Sequence, residues 1–200
     1  MTPKTRPEPV VHTSLGLGAL CQRLEGNCAW AFLELGPALG ANVEFWSRYS
    51  EYIYVADLCS LMPLPEPDPS EDPESAGPGP DWDNLLGLPK GRLYDVILAW
   101  DLLNYLQLPT VTGLVDYLSR FCRPGTVMFS LIFDLRQMPQ EITSYRIVDE
   151  SHLRYEYSSS GMRPCPRHQP RALAAVMHQF QTANSFRLRN GVIEYLFVYV

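Results

Sequence analysis

Long apolar runs, closely paired cysteines and a basic surface are all missing from this chain of 200 residues. No apolar stretch reaches the roughly 18 residues that a membrane-spanning helix requires. The opening MTPKTRPEPVVHTS carries Lys4 and Arg6 without the apolar run that follows them in a secretory signal. Residues 1–12 read instead as a flexible N-terminus. The five cysteines (Cys21, Cys28, Cys59, Cys122, Cys165) are odd in number and form no close pair. That argues against both a zinc knuckle and a disulfide framework, so a soluble cytoplasmic domain without a metal site is expected. Net charge is −6, yet residues 66–83 alone hold seven acids and no Lys or Arg, which leaves the rest near +1. A neutral body gains little from counterion release on a duplex, so nucleic acid is a disfavoured partner.

What is present is a conventional core. At 46% hydrophobic, residues 13–200 suffice for a single domain. Leu17, Leu20, Cys21 and Leu24 recur at helical spacing and predict a helix over 14–25. Ala29 to Leu35 reads as a strand buried on both faces, broken only by Glu34. A short helix around Val43 to Tyr49 follows, then a second apolar strand, Tyr52 to Val55. Beyond Leu58 the pattern collapses into a Pro- and acid-rich stretch over 61–90, read as a mobile loop whose end, Asp81-Trp82-Asp83, is able to close over a ligand. Order returns with the strand Leu93 to Trp100, a helix from Thr110 to Phe121, a break at Arg123-Pro124-Gly125 and the strand Thr126 to Phe133. Residues 146–157 suggest a strand pair or an excursion over the sheet, and 134–168 a substrate cap. Pro170 suits the first turn of a helix running to about Gln181. Asn190-Gly191 between two apolar strands predicts a type I′ hairpin. Strand, helix, strand units of this kind imply a mostly parallel, Rossmann-like α/β sheet flanked by helices and ending in an antiparallel β-hairpin.

The chemistry concentrates in Glu34-Leu35-Gly36-Pro37-Ala38-Leu39-Gly40-Ala41-Asn42 and in Asp57, about 20 residues further on. A strand enters a glycine turn, a helix begins, and the next strand ends in a carboxylate. This is a nucleoside-binding layout: glycines admit close backbone approach, and the later acid accepts hydrogen bonds from ribose hydroxyls. Glu34 is costly to bury unpaired, so it meets either a ligand or a nearby Arg or peptide N–H. For Asp57 the alternative is a helix N-cap, and for Asp101 a cap of the turn that follows.

These residues, together with the terminal hairpin, resemble the class I S-adenosylmethionine-dependent methyltransferases. Glu34, Gly36 and Gly40 fall on that family's acid-x-Gly-x-Gly-x-Gly loop; Ala38 replaces the middle glycine. If that position needs a left-handed backbone, its Cβ costs on the order of 1 kcal/mol. The resemblance implies S-adenosylmethionine as cofactor, held by Glu34, Gly36, Pro37, Ala38, Gly40 and Asn42. Asp57 would hold the ribose beside Leu58, and Ala99, Trp100 and Asp101 would line the pocket from the fourth strand. The Pro-rich loop lies where the family has a helix and its third strand.

Methyl transfer demands few side chains, because the sulfonium already carries an activated methyl group. Asp101, His152 and His168 are the candidates for a general base, although each His is more often a solvated loop residue than a catalyst. No Asn/Asp-Pro-Pro-aromatic sequence follows the fourth strand, which argues against the amino-group nucleic-acid methylases of this fold. Three readings remain. One is a methyltransferase acting on a small molecule or protein side chain. Another is a methyltransferase-like domain without catalysis that serves as a binding or assembly partner, with Tyr155 and Tyr157 as surface candidates. The last is an NAD-dependent oxidoreductase, suggested by Gly36-x-Ala38-x-x-Ala41. Acceptor and oligomeric state are not encoded.

Overall fold

The computed structural model describes residues 8–62, 79–158, 161–166 and 168–200. Residues 63–78, the greater part of the expected 61–90 loop, lie outside them, as do residues 1–7 of the N-terminal segment. Six strands form the main sheet: β2 (Trp30–Glu34), β3 (Ser50–Val55), β4 (Tyr94–Trp100), β5 (Cys122–Phe133), β10 (Phe180–Arg187) and β11 (Val192–Tyr199). Their order is β10-β11-β5-β4-β2-β3. β3, β2, β4 and β5 are parallel neighbours, and β11 runs against both β5 and β10. The sheet is therefore mixed. Among the described residues no strand pairs with the outer edge of β3.

Local sequence explains most of these elements. Ser14 caps helix α1 (Leu15–Leu24) by accepting the Leu17 N–H, and the expected apolar stripe is the buried face, packed against β5, β10 and β11. Every residue of β4 is buried, as a central parallel strand requires. Helix α5 (Leu108–Ser119) packs on β5 and on α6 (Pro170–Val176), whose first turn holds Pro170. Helix α6 ends at Val176, short of the expected Gln181, because Phe180 already pairs with Tyr199 in the sheet. Strand β5 also begins earlier than expected: Cys122 pairs with Tyr94, and a register shift absorbs Arg123-Pro124-Gly125.

Other expectations are corrected. The N-terminal segment is ordered from β1 (Val10–Thr13), since its backbone pairs antiparallel with β8 (His152–Glu156), itself paired with β7 (Ser144–Asp149). The hairpin is not a type I′ turn. Asn190 lacks the left-handed backbone that such a turn needs; only Gly191 has it, at φ 82°, and the loop closes by Gly191 N–H donating to Leu188 C=O. Asp81-Trp82-Asp83 does not close over a ligand. Asp81 caps helix α4 (Trp82–Leu86), Trp82 joins the core, and Asp83 pairs with Arg120. A two-stranded piece, β6 (Gln137–Pro139) with β9 (Met162–Pro164), completes the 134–168 region.

Candidate functional site

Strand β2 delivers Glu34 to the carboxyl edge of the sheet, where its side chain is only 4% exposed. Oε1 accepts two hydrogen bonds, from the Gly36 N–H at 2.8 Å and from the Trp100 indole N–H at 2.6 Å. Burial nevertheless pushes the carboxyl up to about 8; the two hydrogen bonds oppose that shift and the nearby Asp57 charge adds to it. Glu34 is thus mostly protonated at neutral pH.

The residue pressed against the glycine turn is Trp100. A Cβ on Gly36 would lie 2.5 Å from the indole Cδ1, so Gly36 is there for close approach, but the approaching group is a side chain of the same protein. Trp100 takes a left-handed backbone at φ 45°, stacks flat on Tyr145 (centroids 5.5 Å, interplanar 7°) and meets Phe129 edge-on. Asp57, at φ 42°, is the only other non-glycine residue at positive φ among those described. Both follow strands that flank β2. Such backbone costs on the order of 1–3 kcal/mol per residue and tends to collect at functional edges.

The remaining sequence candidates fall into distinct settings. Ala38 is exposed and does not adopt the left-handed backbone, so the cost anticipated for its Cβ does not arise. Pro37 is half-buried, and Gly40, with open space where a Cβ would stand, opens helix α2 (Gly40–Trp46). Asn42 is committed to the fold. Its Nδ2 donates to Tyr145 C=O (2.7 Å) and its Oδ1 accepts from Ile147 N–H (2.9 Å), tying α2 to β7. Asp57 stays half-buried and caps helix α3 (Leu58–Leu61), accepting from the Ser60 N–H and hydroxyl. Leu58 is a core residue and Ala99 is sealed inside β4.

Asp101 is fully buried, and desolvation pushes it up to about 7 against hydrogen bonding from the Thr143 amide and the pull of the Tyr145 hydroxyl. The Thr143 N–H donates to Oδ2 at 3.2 Å. Oδ1 lies in one sealed cluster with the Thr143 and Tyr145 hydroxyls. These groups influence the carboxyl electrostatically, but none of the three atoms has a well-formed hydrogen bond. Asp101 makes no side-chain cap to the 3-10 turn Leu102–Tyr105. The two histidines are elsewhere: His152 bonds Asp149 at the β7–β8 turn (2.9 Å), and His168 donates Nε2–H to Leu103 C=O (2.9 Å), burial lowering its pKa. Among the described residues no hydrogen bond or ring contact joins Asp101, His152 and His168.

Sequence reasoning missed Tyr145 and Thr143, and misplaced Tyr155 on the surface; Tyr155 is 2% exposed. The alternation Tyr145, Ile147, then Leu153, Tyr155 across the β7–β8 pair was the available signal, since it turns one face inward.

No protein-family model and no curated protein matches this sequence. Solved structures do match. A S-adenosylmethionine-dependent methyltransferase from Clostridium acetobutylicum superposes with a TM-score of 0.55 at 12% identity, over 92% of this chain and 90% of its own. DesVI from Streptomyces venezuelae gives a TM-score of 0.50 at 11% identity, over 92% and 91%. At such identities the likeness establishes the fold alone: this chain shares the mixed, helix-flanked α/β fold of these two structures.

Proposed function

We propose that the chain is a S-adenosylmethionine-dependent methyltransferase acting on a small-molecule or peptide acceptor, with the cofactor at the carboxyl edge of β2 and β3. The observation that carries this reading is the pair of left-handed residues, Asp57 and Trp100, on either side of the buried Glu34. The residues present fit the two halves of such a cofactor differently. Half-buried Asp57 and the open space at Gly40 suit a nucleoside. At Glu34 the indole N–H already donates where an amino group would, so that half fits only with Trp100 rotated away. When bound, the cofactor supplies the activated methyl group. This chain's residues supply the rest: Asp57 accepts from ribose hydroxyls, and Glu34 gives up its proton to receive an ammonium. Asp101, its carboxyl pushed up to about 7, is sealed in the interior away from an acceptor, so no general base is assigned. The likeness to the S-adenosylmethionine-dependent methyltransferase from Clostridium acetobutylicum also supports the reading. The nicotinamide reading finds no support, since β11 runs antiparallel between β5 and β10.

The Trp100 contact specifically favours a second reading, in which the corner is permanently filled and the domain binds a partner without catalysis. Calorimetric titration of S-adenosylhomocysteine separates the two. Micromolar binding is expected, lost in Asp57→Ala and in Gly40→Arg, and tightened about tenfold in Trp100→Ala, which removes the competing indole. Because the ammonium group of this ligand needs ionised Glu34, affinity should rise as pH increases from 6 to 8. Absence of binding in both the parent protein and Trp100→Ala would discard the methyltransferase reading and leave the second.

A further inference from the structure

Beneath the small three-stranded sheet lies a cleft of about 390 Å³, within the range of small-molecule sites. We propose that this cleft binds an uncharged, mainly apolar ring compound carrying one hydroxyl or neutral amino group. Its walls come from regular elements: Phe133 and Val192 from the main sheet, Tyr145 and Tyr155 from β7 and β8, with Leu135 and Met162 toward the mouth. A site built this way is formed before its ligand arrives.

Three features define the ligand class. First, among the described residues no Lys, Arg, Asp or Glu lines the cleft, and burial lowers the pKa of His12, the imidazole in its lining. A charged ligand would lose its water without gaining a counter-ion, so the cleft selects against it. Second, Tyr145 and Tyr155 stand edge-to-face (4.8 Å, 79°) and are backed by Trp100 and His12, which gives the cleft a fixed aromatic floor suited to an apolar ring. Third, the neutral side-chain amides of Gln137 and Asn190 line the cleft and suit a single ligand hydroxyl or amino group.

The inference stands apart from the methyltransferase reading. Glu34, Gly36, Asp57 and Trp100 do not line the cleft, and the Trp100–Tyr145 stack lies between it and the glycine turn. The full chain is titrated with N-phenyl-1-naphthylamine, a neutral ring probe, followed by fluorescence at pH 7.5 with no cofactor present. Saturable one-site enhancement is expected, reversed by 2-naphthol and at least tenfold less sensitive to 2-naphthoate. Leu135→Arg, at a half-exposed wall position, should weaken the probe at least tenfold, and Met162→Asp, at the exposed mouth, severalfold, each with the parent protein's melting profile. No saturable signal, equal displacement by naphthol and naphthoate, or unchanged probe affinity in both folded variants would overturn the proposal. Failure of S-adenosylhomocysteine to bind would leave it untouched.

Discussion

Glu34 and Glu194 are both buried carboxylates in strands of the same sheet, both accept a glycine N–H, and both have their pKa raised by desolvation. They differ in what holds them. Glu194, within β11, accepts the Gly16 N–H at 2.6 Å, and the Ser14 hydroxyl and the amides of Gly16 and Leu15 all oppose its shift. These groups form the amino end of α1, whose unpaired N–H donors and positive dipole end suit a carboxylate. That glutamate fastens a helix to the sheet. A Cβ on Gly16 would lie 2.9 Å from the Glu194 Cβ, so the junction has no room for anything else. Glu34 is held instead by one peptide N–H and one side chain. The same residue type is a rivet to a helix at one place and the partner of a single indole and one peptide N–H at the other.

The contrast is open to direct attack. The largest effect expected is on pH dependence. With its folded pKa raised to about 8, Glu34 binds its proton more tightly in the native state; the associated stability is full below the unfolded value near 4.5 and is lost as pH rises through 8. Urea unfolding should show Glu34→Gln gaining on the parent protein by on the order of 3 kcal/mol between pH 5 and pH 9. Glu194→Gln should gain less over the same range. Identical profiles for the two variants would erase the distinction. Next in size, Glu194→Ala leaves the Gly16 N–H buried and unpaired and opens a cavity under α1, for a loss of about 3 kcal/mol at pH 7, measured by the same unfolding curves. The smallest effect belongs to Asp57→Gly. Glycine accepts the left-handed backbone, and its cost at an N-cap is only a few tenths of a kcal/mol, so melting should barely change while nucleoside binding disappears. Removing the Asp57 charge should also lower the Glu34 pKa, visible by NMR titration of the carboxyl carbon.

Much of the scaffold was legible in residue patterns because those patterns report burial. The apolar runs of β2 and β4, each interrupted by a single acid, the stripe of α1 and the proline that opens α6 each respond to a local rule, and the structure follows them within a few residues. The hairpin was legible as a pair of strands but not as a turn type, since the bend depends on how β10 meets β11. The site was harder to read. Glu34, Gly36 and Asp57 do gather at one edge of the sheet, whereas Asn42 matched the motif by position and spends its amide on β7, 103 residues away. Nothing near Asn42 in the chain announces that partner.

Composition and spacing alone determined the layered α/β plan, the strand that carries Glu34 and the turn that follows it, because apolar periodicity and glycine placement act over a few residues. Only the tertiary structure decided who occupies that turn. Trp100 and Tyr145 come from distant strands, and whether an indole or a ligand meets Glu34 is settled by packing between them, a long-range contact that no local pattern encodes.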